Sequence, residues 1–65
     1  MSKNTEYTEV YYDAIKHNTG IALLFDIDDE DCWVPLSVIE NAESLDVDGG
    51  NAQIAEWFAD KAGLI

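Results

Sequence analysis

From Asp26 to Asp31 the chain reads D-I-D-D-E-D, five carboxylates in six residues. No basic residue stands between Lys16 and Lys61, so no near neighbour in sequence neutralises them. Three kinds of chemistry could use such a run: metal ligation, acid–base work beside a nucleophile, and recognition of a positively charged surface. Metal ligation is the easiest to test. Asp26, Asp28 and Glu30 alternate as the ligands of a calcium loop do, but that loop needs glycine at its sixth position and glutamate at its twelfth. Here those positions hold Asp31 and Ser37. The D-V-D-G-G run that starts at Asp46 fails in the same way, with Trp57 at the twelfth position. No dedicated metal site is expected, and no cofactor.

Catalysis has few residues to draw on. His17 is the one histidine and lies next to Lys16 at the end of a segment, where it reads as a solvated turn residue. Cys32 falls in a strand-like run beside Trp33 and reads as a buried or half-buried structural thiol. The carboxylates around it would raise its pKa, the wrong direction for a nucleophile. Ser37 has no base near it in sequence and is placed to cap a helical turn. The chain is therefore read as a non-enzyme.

Charge recognition is the third option. Alternate residues of a strand lie about 6.6 Å apart, at about 3.3 Å each. DNA presents one charge per about 3.4 Å of axis on each strand. Asp26, Asp28 and Glu30, supplemented by Asp46 and Asp48, would fall at phosphate-like intervals. Asp29 and Asp31 would carry the interaction with the first three, and Glu43 would extend it with Asp46 and Asp48. A groove lined with lysine and arginine would release counterions on binding such a surface, as it does on binding DNA. The plainer role for the same residues is a solvated loop that keeps strand edges from aggregating.

The whole chain shares this bias. Fourteen acidic side chains stand against three lysines and no arginine, for a net charge of −11. Self-repulsion of that size costs stability but keeps a protein soluble and monomeric. It argues against direct nucleic-acid binding, which needs Lys and Arg on phosphates, and against an anionic membrane surface. A basic protein partner is favoured instead. Sixty-five residues allow a single domain, 1–65, and a chain of this size buries only about 60% of its unfolded surface. Hydrophobic residues make up 48%, with two Trp, three Tyr and two Phe, too many aromatics for a disordered acidic tail. A lone cysteine leaves no internal disulfide and suits a reducing, intracellular setting. The longest apolar run, Ile21 to Phe25, has five residues, where a membrane span needs about 20. The opening M-S-K-N-T-E-Y lacks the apolar core of a signal peptide. The cytoplasm is the expected location.

The elements that must position the carboxylates start with an ambiguous segment. Met1 to Asn4 reads as a loose end. Thr5 to His17 fits a helix at period 3.6, with Tyr7, Val10, Tyr11, Ala14 and Ile15 on one stripe, acidic residues early and Lys16 and His17 late. It also fits a strand at period 2, with Thr8, Val10, Tyr12 and Ala14 on one face and residue types that favour β. Gly20 to Ile27 is apolar on both faces and reads as a central strand. Glu30 to Val34 pairs with it across the acidic turn, and Pro35 ends that strand or puts it on an edge. Ser37 would cap a turn through Val38, Ile39 and Glu40. Asn41 to Asn51 reads as a loop, with Leu45 and Val47 available for a brief edge strand. Ala52 to Ala62 reads as a helix capped by Asn51, with Ile54, Trp57, Phe58 and Lys61 on one stripe. Gly63 stops it, and Leu64 folds back on Phe58 or Ala59. Ile54, Trp57 and Phe58 would pack on the sheet face carrying Leu23, Phe25 and Trp33.

W-V-P-L-S-V-I (Trp33 to Ile39) and I-A-E-W-F-A-D-K-A-G-L-I (Ile54 to Ile65) together resemble small phage-encoded proteins in which a sheet is followed by a helix of this kind. The G-I-A-L-L-F-D-I run looks like their central strand, and the likeness covers roughly the last two-thirds of the chain. The matching residues (Trp33, Pro35, Ile39, Trp57, Gly63) are those of a fold and carry no chemistry. The first segment and the acidic tip depart from the pattern. Small size and strong acidity also resemble the DNA-mimic anti-CRISPR proteins, closest in style to inhibitors of type I surveillance complexes, type I-C among them. The first likeness weighs for a strand at Thr5 to His17. It implies an α+β domain: a small antiparallel sheet of three to four strands with the C-terminal helix packed on one face. The second implies a non-enzymatic, monomeric inhibitor whose carboxylates occupy the basic groove of a CRISPR surveillance complex subunit in a bacterial host. The alternative is a phage accessory protein that docks a replication or recombination protein through an apolar patch such as Tyr7, Tyr11 and Tyr12.

Overall fold

In the computed structural model, which describes residues 6–65, the first segment is strand and not helix. Met1 to Thr5 lie outside the described residues. Strand β1 (Tyr7–Tyr12) buries Val10 and Tyr12 and exposes Tyr7, Glu9 and Tyr11, the alternation of a half-buried strand. The chain bends at Asp13 and continues as β2 (Ala14–Asn18), so one bent stretch serves two sheets. β2, β3 (Ala22–Ile27) and β4 (Glu30–Pro35) form an antiparallel sheet in that order, and β1 pairs antiparallel with β5 (Gly50–Ala55). With the C-terminal helix α1 (Glu56–Lys61) the fold is α+β, mostly β, with five strands in two small antiparallel sheets among the described residues.

The central hairpin follows the apolar pattern. Leu23 faces Val34, Phe25 faces Cys32 and Ile27 faces Glu30, and Leu23, Phe25 and Val34 are buried in the core. Leu24 and Trp33 face each other on the opposite side of the sheet. Pro35 is tolerated for a geometric reason. The Leu36 N–H donates to the Ile21 carbonyl at 2.9 Å, which leaves the Ala22–Pro35 pair without ladder hydrogen bonds. The missing proline N–H therefore points off the sheet's edge, where it costs nothing.

Tyr12 joins the two sheets and the long loop. Its ring lies 4.8 Å from that of Phe25. Its hydroxyl donates to the Asp46 carbonyl at 2.7 Å and accepts from the Asp46 N–H at 3.0 Å. Burial pushes the Tyr12 hydroxyl pKa up. Beyond Pro35 the chain takes a 3-10 turn, Leu36–Val38, with Pro35 at its cap and no side-chain capping bond. Ser37 is thus not a cap. A second 3-10 turn, Ala42–Ser44, follows. Leu45 to Val47 form no strand, although the Val47 carbonyl accepts from the Ile15 N–H at 3.0 Å.

The largest departure from the sequence expectation is at the C-terminal helix. Ala52 to Ala55 belong to β5, Asn51 is a strand residue, and Ala55 precedes the helix without a side-chain cap. The ladder with β1 claims these residues: Val10 faces Ala52, Thr8 faces Ile54, and the Glu56 N–H donates to the Glu6 carbonyl at 2.7 Å. The other edge of β5 is occupied as well. The Gln53 N–H donates to Asn41 Oδ1 at 2.9 Å, and the Gln53 carbonyl accepts from the Glu40 N–H at 2.8 Å. Ile54 and Ala59 are fully buried and Phe58 packs against the core, but Trp57 and Trp33 are both exposed and take no part in it. The helix stop matches expectation. Gly63 has φ 77°, the Leu64 N–H donates to Ala59 and the Gly63 N–H to Asp60, which is the Schellman pattern, and Leu64 packs against the core. Among the described residues no helix is long and apolar enough to cross a membrane.

Candidate functional site

The acidic run sits at the tip of the β3–β4 hairpin. Ile27 pairs with Glu30, so the loop is only two residues, Asp28 and Asp29. Their φ values are 53° and 66°. Two positive φ angles in a two-residue loop make a type I′ turn, whose twist suits a hairpin and whose second position favours glycine. Here aspartate fills both positions. The expected row of carboxylates along one strand is not formed. Asp26 is on β3, Asp28 and Asp29 are in the turn, and Glu30 and Asp31 are on β4. Asp26 and Asp31 face each other on the outer side of the sheet, and Glu30 belongs to the inner-facing set with Ile27 and Cys32. The charges therefore radiate from a tip in several directions, and the strand-spacing argument for phosphate intervals fails.

Two like charges directly opposite in a sheet are destabilising, and Lys16 answers that problem. Its Nζ donates to Asp31 Oδ1 at 2.8 Å in an exposed ion pair. The hydrogen bond to Asp31 and that carboxylate's charge raise the Lys16 pKa, and Asp26 adds to the effect. One of the five carboxylates is thus neutralised in place by a residue fifteen positions away. Asp28, Asp29 and Glu30 are exposed.

Asp13 joins this end, although no sequence signal marked it. Its N–H donates to the Asp26 carbonyl at 2.7 Å, and its Oδ2 accepts from the Asp28 N–H at 3.3 Å. Its single-residue place between two β-prone runs could have flagged a bend, but only pairing with β3 puts it beside the tip. The Asp46–Asp48 loop packs next to Asp13. A Cβ built on Gly49 would lie 2.9 Å from the Asp13 carbonyl oxygen, and the Val47 carbonyl holds the Ile15 N–H. Within that loop the Asp48 N–H donates to Asp46 Oδ1 at 3.0 Å. The structure thus brings Asp46 and Asp48 to the same end as Asp26 to Asp31. Glu43 is not brought there: its 3-10 turn is fastened through Asn41 to β5.

The residues considered for catalysis are separated. Cys32 faces inward opposite Phe25, and burial raises its thiol pKa; the surrounding carboxylates are not the cause. His17 lies in β2, not in a turn, on the outer side opposite Leu24, its ring edge-on to Trp33 at 6.1 Å. Among the described residues no three carboxylate, histidine or cysteine side chains converge as a metal site requires. A small open cavity of about 170 Å³ lies between the tip and the helix end, lined by Ile27, Cys32 and Leu64 together with Asp28, Glu30 and Asp31. No protein-family model, no curated protein and no solved structure matches the chain.

Proposed function

We propose that this protein is a non-enzymatic inhibitor of a CRISPR effector, an anti-CRISPR acting in the bacterial cytoplasm, whose acidic end occupies the basic groove where DNA would lie. The observation that carries the proposal is the tip itself. Asp28 and Asp29 both take left-handed backbone, φ 53° and 66°, where Asn-Gly would be more relaxed. Charge is kept there at a cost in turn energy, on a domain whose net charge of −11 already opposes folding. Asp13, Asp46 and Asp48 add to the same end. What the surface offers a basic groove is a concentrated anionic end and not a ladder of evenly spaced phosphates. Charges of this kind chiefly accelerate association and impose salt dependence.

The test is competition between the protein and target DNA for a purified type I surveillance complex at two salt concentrations. Charge reversal at Asp28, Asp29 and Glu30 together should abolish inhibition while the domain stays folded by circular dichroism. Normal inhibition by that triple variant would sink the proposal.

A second reading has its own observation. Tyr11 is 62% exposed and Tyr7 37%, on one side of β1, so an aromatic surface is free to dock a host or phage replication or recombination protein. Tyr12 does not belong to that patch, since it is 1% exposed. Binding of this sort should hardly change with salt, whereas the charged end predicts a steep loss.

A further inference from the structure

On the outer side of the three-stranded sheet, Leu24 lies between His17 on β2 and Trp33 on β4. The two rings meet edge to face across it at 6.1 Å. Trp33 nonetheless keeps 50% of its surface exposed. One step along the sheet, on the same side, stand Asp26 and Asp31. Lys16 holds Asp31, while the Asp26 side chain accepts no hydrogen bond among the described residues. The face therefore sets an exposed indole within one cross-strand diagonal, roughly 7–8 Å, of a carboxylate that feels the Lys16 charge without a hydrogen bond to it. A second copy of the chain is a poor occupant, because each copy carries a charge of −11. A lysine would satisfy the carboxylate, but its compact, strongly hydrated ammonium cannot stack on the ring. A guanidinium does both: it stacks on an aromatic face and presents a fork of N–H donors to a carboxylate.

We infer that this sheet face docks an arginine of a basic protein partner, its guanidinium stacked on Trp33 and hydrogen-bonded to Asp26. The inference rests on the charge-recognition reading above and names what that reading leaves open, a preference for arginine over lysine. Lys16 competes with the incoming arginine for this face by charge repulsion.

The experiment titrates the full chain, carrying Trp57→Phe so that Trp33 is the only indole, with oligo-arginine and oligo-lysine peptides of equal length at low salt. Indole fluorescence and amide chemical shifts are the readouts. The arginine peptide should bind roughly three- to fivefold more tightly than the lysine peptide, the gain of an exposed cation–π contact. It should perturb Leu24, Asp26 and Trp33. Trp33→Leu, read by amide shifts, should erase the arginine preference without abolishing salt-sensitive binding, and Lys16→Met should strengthen arginine binding. Equal affinities in the parent chain, or perturbations confined to Asp28 and Asp29, overturn this inference and leave the acidic-end reading standing. Failure of both peptides to bind at low salt overturns both readings. Concentration-dependent self-association that covers Trp33 would assign the face to a second copy and overturn the arginine site.

Discussion

Two ends of the molecule need left-handed backbone, and they meet the need with different residues. At the C-terminus Gly63 takes φ 77° and closes the helix with two backbone hydrogen bonds. At the hairpin tip Asp28 and Asp29 take φ 53° and 66°. Left-handed backbone costs an L-residue about 1–2 kcal/mol, less for aspartate, whose short side chain can bond locally, and nothing for glycine. The helix end is thus built as folding alone would have it. The tip is built as folding alone would not, and what it retains in exchange is charge. Gly49, at φ 116°, combines the two cases: it lies in the acidic loop but is glycine.

Gly49→Ala should have the largest effect, because two penalties coincide there. The φ is unsuited to a side chain, and a Cβ would lie 2.9 Å from the Asp13 carbonyl oxygen and 3.2 Å from that of Tyr12. Backbone atoms at a strand end and the hydrogen-bonded bend after it cannot give way cheaply. Strain and overpacking together predict a loss of roughly 2–4 kcal/mol, against a total of roughly 3–5 kcal/mol for a domain of this size. Urea unfolding should show a chain with only about 1 kcal/mol of stability left, its midpoint moved close to zero denaturant. A loss below about 1 kcal/mol would mean that the Asp46–Gly50 loop does not press on the Asp13 bend, and Asp46 and Asp48 would then no longer be counted with the tip.

The sequence made the hairpin legible and the helix start illegible, for one physical reason. Between Ile21 and Leu36 the signals agree: two short apolar and aromatic runs, a polar turn and a proline at an edge position. Between Ala52 and Ala55 local propensity favours helix, with alanines and Ile54 in step with Trp57 and Phe58. Pairing with Tyr7–Tyr12 overrides that preference, and a pairing partner more than forty residues away leaves no mark on the local pattern. Tyr12 shows what a consistent period would have given. The strand alternation that buries Val10 also buries Tyr12 and exposes Tyr11, so a docking patch could never have held all three tyrosines. Within the site, D-I-D-D-E-D located the tip correctly. Two features were beyond sequence reasoning because each depends on the bend at Asp13: the arrival of Asp13 beside Asp28 and the pairing of Lys16 with Asp31. The division of the acids between two sheet faces follows instead from the β3–β4 register, which leaves only two residues in the loop.

Gly63→Ala separates backbone strain from crowding. A Cβ at Gly63 would meet no atom within 4 Å, so only the left-handed backbone opposes it. The expected loss is about 1 kcal/mol, which for a domain of this size lowers the melting temperature by roughly 4–8 °C. A much larger loss would show that the helix end and Leu64 hold more of the fold than the strain argument allows.

The smallest effect should come from the substitution that makes the tip resemble the helix end. Asp28→Asn with Asp29→Gly installs the pair that a type I′ turn prefers and takes the net charge from −11 to −9. The gain should be about 0.5–1 kcal/mol, partly from relaxed backbone and partly from reduced repulsion. Salt tells the two contributions apart. Repulsion is screened within about 10 Å at 0.1 M salt, so its share of the gain shrinks as salt is added, while the backbone share persists. The Asp13 carboxylate still accepts from the backbone N–H at position 28, so that contact survives the change. A more stable variant that competes less well with DNA for a surveillance complex would place the two aspartates under selection for binding against folding. A less stable variant would mean that the carboxylates hold the turn together, and the tip would then be no different in kind from the glycine end.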